Sequence, residues 1–199
     1  MLSKNKLEIV NLFRANFFLE ITILQTQRLL KKKSYQRIYE ATKELEKEQI
    51  LSSNKVGNSN QIHLKLGPQT INLISYLEQE EALKKNLPNL QEISDNFKDD
   101  ILIVTGSYAQ GKQKSTSDID LALITKENTL KKQKQLENLT LSFHPPIHPI
   151  TFTQKDFVDM LLSKEQNFGK EIFKNHLIIK NAERYFELIK EVIERGFKG

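Results

Sequence analysis

Residues 101–125 read Ile-Leu-Ile-Val-Thr-Gly-Ser-Tyr-Ala-Gln-Gly-Lys-Gln-Lys-Ser-Thr-Ser-Asp-Ile-Asp-Leu-Ala-Leu-Ile-Thr. Two apolar runs of strand length flank a Gly-Ser turn, a short helical segment and a polar loop, so this stretch predicts a strand–turn–strand unit inside a buried sheet. The second run opens with Asp118 and Asp120. Side chains alternate along a strand, which puts both carboxylates on one face. An unpartnered carboxylate is costly to bury, and Asp120 interrupts an otherwise apolar strand. A Gly-Ser turn that leads into a helix N-terminus exposes backbone N–H groups suited to phosphate. Phosphate donors facing paired carboxylates that can hold Mg²⁺ make a metal–nucleotide site.

Gly106-Ser107, Gly111 and Ser117-Asp118-Ile119-Asp120-Leu121 resemble the signature of the DNA-polymerase-β-type nucleotidyltransferase superfamily. The pattern is Gly-Ser, a spacer of ten residues, then Asp-x-Asp, and it occupies 25 of 199 residues. The resemblance implies Asp118 and Asp120 as catalytic and metal-binding residues, and Gly106, Ser107 and Ser117 as nucleotide-binding residues. It implies Mg²⁺ or Mn²⁺ as cofactor and an NTP as substrate. The reaction it implies moves a nucleoside monophosphate to a hydroxyl of a protein, an RNA or a small molecule.

One feature departs from the superfamily pattern. Members that transfer nucleotides usually carry a third carboxylate on the next strand, here Ile-His-Pro-Ile-Thr-Phe-Thr at residues 147–153, which has no acid. His148 stands roughly in that place. Three readings stay open: His148 substitutes as a base or ligand, the two aspartates suffice, or the domain binds nucleotide without turnover. Residues 148–157 and Asn167-Phe168 are also similar to prokaryotic fusions of a winged helix to a minimal nucleotidyltransferase domain.

Charge divides the chain. Residues 1–66 hold 12 Lys and Arg against 6 Asp and Glu, a net +6, whereas residues 67–199 hold 18 against 19, a net −1. A basic module joined to a near-neutral one is expected. In the basic third, helices are predicted over residues 4–14, 23–30 and 35–48, with Ser3 and Ser34 as N-caps. A short strand is expected at residues 17–22, then strands at 50–53 and 61–66 around a polar turn at 54–60. This order resembles a winged helix-turn-helix. The resemblance implies double-stranded DNA as a partner, with Tyr35, Gln36, Arg37 and Lys43 on the groove-facing helix and Lys55 on the wing. Lys31 to Lys33 would contact phosphate.

Gly67-Pro68 breaks the chain, a connecting helix follows to about residue 85, and a second break is expected at 86–89. The connecting helix could pair with its copy in a homodimer. Further helices are predicted at 89–97, 127–139, 154–162 and 182–195, with strands at 147–153 and 177–179. Asp99-Asp100 reads as a solvated turn. The expected fold class is α/β (α+β). Its domains are a winged helix-turn-helix over 1–67, a connecting helix over 68–87 and a nucleotidyltransferase domain with a mixed sheet over 88–199. No apolar run reaches the roughly 18 residues of a membrane span, no secretory signal is recognisable, and Cys is absent. A cytoplasmic protein without disulfides is expected. The rival to an enzyme is a DNA-binding regulator or antitoxin whose second domain is a catalytically weak nucleotide binder.

Overall fold

The computed structural model describes residues 2–85, 87 and 90–199. The chain is a mixed α+β protein that forms two compact units, Met1–Leu77 and Glu78–Gly199. Among the described residues, no helix is long and apolar enough to cross a membrane.

The first unit contains α1 (Lys4–Arg14), α2 (Ile23–Leu29), α3 (Tyr35–Lys47) and the antiparallel hairpin β1 (Leu51–Val56) and β2 (Ser59–Leu64). It ends in the first turns of α4 (Pro68–Lys84), which runs past the boundary between the units. Ser3 and Ser34 cap α1 and α3 as expected, and Thr22 with Gln25 forms a reciprocal capping box on α2. Ile9, Val10 and Phe13 of α1, Ile38 and Leu45 of α3, and Leu51 and Ile62 of the hairpin are almost fully buried.

Two local expectations are corrected. The strand expected at residues 17–22 is a single bridge, Ile21 to Ile62. Asn16 consumes the neighbouring amides: its side chain accepts from Phe18 N and its carbonyl from Leu19 N, which makes a turn. The seven-residue hairpin turn is only Gly57-Asn58, because Val56 pairs with Ser59 and Lys55 with Asn60. Gly57 has φ +58°, the sign that a two-residue hairpin turn needs at its first position. The polar side chains of residues 54–60 signal solvent, but solvent exposure does not prevent a backbone ladder.

The second unit is built on a four-stranded sheet of order β5-β4-β3-β6, comprising β3 (Ile101–Thr105), β4 (Ile119–Thr125), β5 (Ile147–Thr153) and β6 (Leu177–Lys180). The β3 strand is antiparallel to β4 and β6, whereas β4 and β5 are parallel. Leu102, Val104, Leu121 and Leu123 share one core with Leu90, Ile93 and Phe97 around α5 (Gln91–Asn96) and with Leu136 of α7 (Thr129–Thr140). On the opposite face, β3, β4 and β5 contact α8 (Gln154–Leu162), α9 (Phe168–Lys174) and α10 (Ala182–Glu194). Cover on both faces explains why β3 and β4 read as continuous apolar runs and do not alternate.

The break expected at 86–89 and the domain start at residue 88 fall largely on Asn86, Pro88 and Asn89, which lie outside the described residues. The helix expected from residue 127 begins at Thr129, because Asn128 caps it through the amide of Lys131.

Asp100 is not in a solvated turn. Its side chain is 2% exposed and accepts from Lys132 Nζ at 2.7 Å, while Lys132 also reaches Glu127 at 3.3 Å and lies over the Phe97 ring. Burial alone would lower the Lys132 pKa, but the hydrogen bonds and charges of Asp100 and Glu127 hold it above the usual lysine value. Removing Asp100 would leave the largely buried Lys132 ammonium with only the exposed Glu127 as partner. Asp100→Ala is therefore expected to destabilise the second unit by about 3 kcal/mol in urea unfolding followed by tyrosine fluorescence. A loss below about 0.5 kcal/mol would show that the pair is solvated.

Candidate active site

The loop before β4 is pinned by Ile119 N, which donates to Pro146 O at 2.8 Å. From there the register brings three side chains together. Asp120 lies opposite Thr105 on β3 and opposite His148 on β5, and Asp118 precedes it by two residues on the same face. One ligand atom from each of Asp118, Asp120 and His148 lies within 4.8 Å of the others. His148 Nδ1 is 3.0 Å from Asp118 Oδ2, with the two side chains 63% and 45% exposed.

Asp120 is half-buried, and its carboxyl is held above the usual aspartate range. Burial is the main cause and the charge of Asp118 adds to it, while His148 opposes both. Two carboxylates that repel each other at a half-exposed site form a set that a divalent cation would relieve. Two carboxylate oxygens and an imidazole nitrogen would fit a divalent ion.

Gly106 links this cluster to the turn after β3. Its φ is +67°, and a β-carbon built there would lie 2.2 Å from Asp120 Oδ2. Glycine is required at this position twice over, by backbone sign and by the space that the carboxylate occupies. Ser107 follows, half-buried, at the start of α6 (Gly106–Gln110), where the first turn of a helix presents N–H groups without intrahelical acceptors. Gly111 closes α6 in the left-handed region at φ +67°, and Lys112 N returns to Ser107 O at 2.9 Å.

The loop between α6 and β4 is tied internally. Tyr108 is buried in the core and its hydroxyl donates to Ser117 O at 3.5 Å, while Ser117 Oγ accepts from Lys114 N at 2.9 Å. Ser117 thus shapes the approach to Asp118. Lys112 and Lys114 are exposed. Two neighbours carried no sequence signal. Thr105 Oγ1 donates to Asn175 O at 2.7 Å, which anchors the end of β3 to the loop after α9. Lys85 Nζ lies 3.5 Å from the position a Gly111 β-carbon would take, which places a cation beside α6.

The groove-facing residues expected on α3 lie on its exposed surface but not on one line. Gln36 and Lys43 point outward, with Tyr35 on one flank and Arg37 on the other, about 160° apart at 100° per residue. Gln36 donates to Glu40 at 2.8 Å, Lys43 pairs with Glu46 at 2.6 Å and also lies over the Tyr39 ring. Lys55 is exposed near the hairpin tip.

The state of Asp120 sets a testable sign. A carboxyl whose folded pKa is raised stabilises the fold below its unfolded value of about 3.9, and that contribution is lost as pH rises through the folded pKa. Asp120→Asn should therefore raise the unfolding midpoint of the metal-free chain at pH 7, and the gain should vanish as pH falls toward about 4. A lower midpoint at pH 7 would show that the charge is stabilised locally.

A protein-family profile described as polymerase beta, nucleotidyltransferase matches residues 81–184, which contain β3, α6, β4 and β5 and every residue of the cluster. No curated protein and no solved structure matches the chain significantly. With the profile spanning just over half of the chain, and with Gly106 and the two aspartates meeting where the central strand β3 ends and its neighbour β4 begins, the chain belongs to the polymerase beta nucleotidyltransferase family.

Proposed function

We propose that the second unit transfers a nucleoside monophosphate from an NTP to a hydroxyl group of a protein, an RNA or a small molecule. The close approach of Asp120 to Gly106 carries this reading, since it puts the carboxylates against the turn that would receive the triphosphate. Ser107 and the amides of the first turn of α6 would bind phosphate oxygens, and Gly106 would let the chain pass close to them. Ser117 would hold the loop that presents Asp118. The acceptor hydroxyl gives up its proton to water and attacks the α-phosphorus, the bond to the oxygen bridging to the β-phosphorus breaks, and pyrophosphate leaves with the electron pair. Asp118 and Asp120 would hold Mg²⁺ or Mn²⁺, which supplies charge neutralisation to the triphosphate and the departing pyrophosphate.

Incubation of the chain with each labelled NTP, Mg²⁺ or Mn²⁺ and cell extract is expected to give a labelled product. Asp118→Asn combined with Asp120→Asn should lower the yield by at least about a hundredfold. Nucleotide binding without label from any NTP would instead favour a regulator with a nucleotide-sensing domain.

The first unit supports a second reading as a DNA-binding winged helix, with α3 in the major groove and the β1–β2 hairpin as the wing. The pairing of the acids on α3 favours it. Glu44 and Glu48 are both drawn to the buried Lys6 of α1, at 3.2 and 2.5 Å, and Glu40 and Glu46 are engaged by Gln36 and Lys43. Arg37, Lys31, Lys33 and Lys55 are exposed cations that would add a positive field at this surface, while Lys32 is paired with Glu8. Arg37→Ala with Lys43→Ala is expected to weaken duplex binding at low salt and to flatten its salt dependence. Failure of the parent chain to bind duplex at low salt would contradict the reading.

A further inference from the structure

We infer that His148 is a metal ligand that sets the ion preference of the site, favouring borderline first-row ions such as Mn²⁺ and Co²⁺ over Mg²⁺. The inference rests on the nucleotidyl-transfer reading for its site and goes beyond it by naming a ligand and a selectivity.

Strand register places the imidazole. His148 is paired with Asp120 across the parallel β4–β5 ladder, so the two side chains project from the same side of the sheet. Its Nδ1 stands 3.0 Å from Asp118 Oδ2, close to the spacing of adjacent ligands around an ion with bonds of about 2.1 Å. At 63% exposure the ring fills no core space, so packing does not account for its direction.

The other candidates for a third ligand are committed elsewhere. Asp156, the next acid after β5, closes the capping box of α8: it accepts from Thr153 N at 3.2 Å, and these hydrogen bonds hold its carboxyl below the usual range. Glu127 pairs with Lys132. His176 faces Glu78 at 3.8 Å and the Tyr185 hydroxyl at 3.4 Å.

The donor set then decides the ion. Mg²⁺ is a hard ion that takes oxygen ligands, and three carboxylates would offer it three negative charges. Here two carboxylates and a neutral imidazole offer two charges and a nitrogen, which weakens the hold on Mg²⁺. Imidazole suits first-row transition ions, and affinity along that row rises from Mn²⁺ to Co²⁺.

The test is Mn²⁺ binding to the full chain, followed by electron paramagnetic resonance, with Mg²⁺ as competitor. Pulsed spectra of bound Mn²⁺ should show coupling to an imidazole nitrogen, and His148→Ala and His148→Asp should both abolish it. His148→Asp should retain Mn²⁺ but lower the Mn²⁺ to Mg²⁺ preference by about tenfold or more. Absence of nitrogen coupling in the parent chain, or an unchanged preference in His148→Asp, overturns the inference. Parent binding no tighter than that of Asp118→Asn with Asp120→Asn overturns it together with the site itself. Nitrogen-coupled Mn²⁺ in a chain that labels nothing refutes the transfer reaction and leaves the role of His148 standing.

Discussion

The carboxylate of Asp120 occupies the space that a β-carbon at position 106 would need, and the rest of the second unit serves that contact. It requires β3 to end at Thr105, opposite Asp120, and the chain to turn there with a positive φ. The antiparallel ladder from Ile101 with Ile124 to Thr105 with Asp120 fixes that register over five pairs. A slip of one residue would send Asp120 into the apolar face that contains Leu121 and Leu123. The two halves of the signature are therefore one steric unit, although ten residues separate them in the sequence.

Charge is handled differently at the site and elsewhere. Lys6 is buried between Glu44 and Glu48, and Lys132 is held between Asp100 and Glu127, so these two ammonium groups are paired within the fold. Asp120 is burdened instead by its own burial and by a like charge two residues away, with only the exposed His148 to offset them. An ionisable group held in an unfavourable state is a candidate for ligand binding, because a ligand can supply what the fold withholds.

Much of this was legible in the sequence. Apolar runs showed β3 and β4, period 2 put the two aspartates on one face, and Ser3 and Ser34 announced helix starts. Other features depended on partners distant in the chain. Asp100 looked solvated because Lys132, 32 residues away, gave no sign that it would fold over it. The polar stretch 54–60 concealed a hairpin, since its ladder uses only backbone groups. The aromatic and β-branched run 17–22 lost its strand to the turn at Asn16. Gly106 was legible as a phosphate turn but not as the partner of Asp120, and the exact position of His148 needed the register of β5 on β4.

The central claim is that Asp118, Asp120 and the Gly106-Ser107 turn together hold a metal–nucleotide complex. A crystal structure of the chain with Mn²⁺ and a non-hydrolysable NTP analogue tests it most directly, through the anomalous signal of the ion. The account predicts a peak bonded to both aspartates, with the triphosphate lying along the first turn of α6. A nucleotide bound elsewhere, or a peak that contacts neither aspartate, would contradict it.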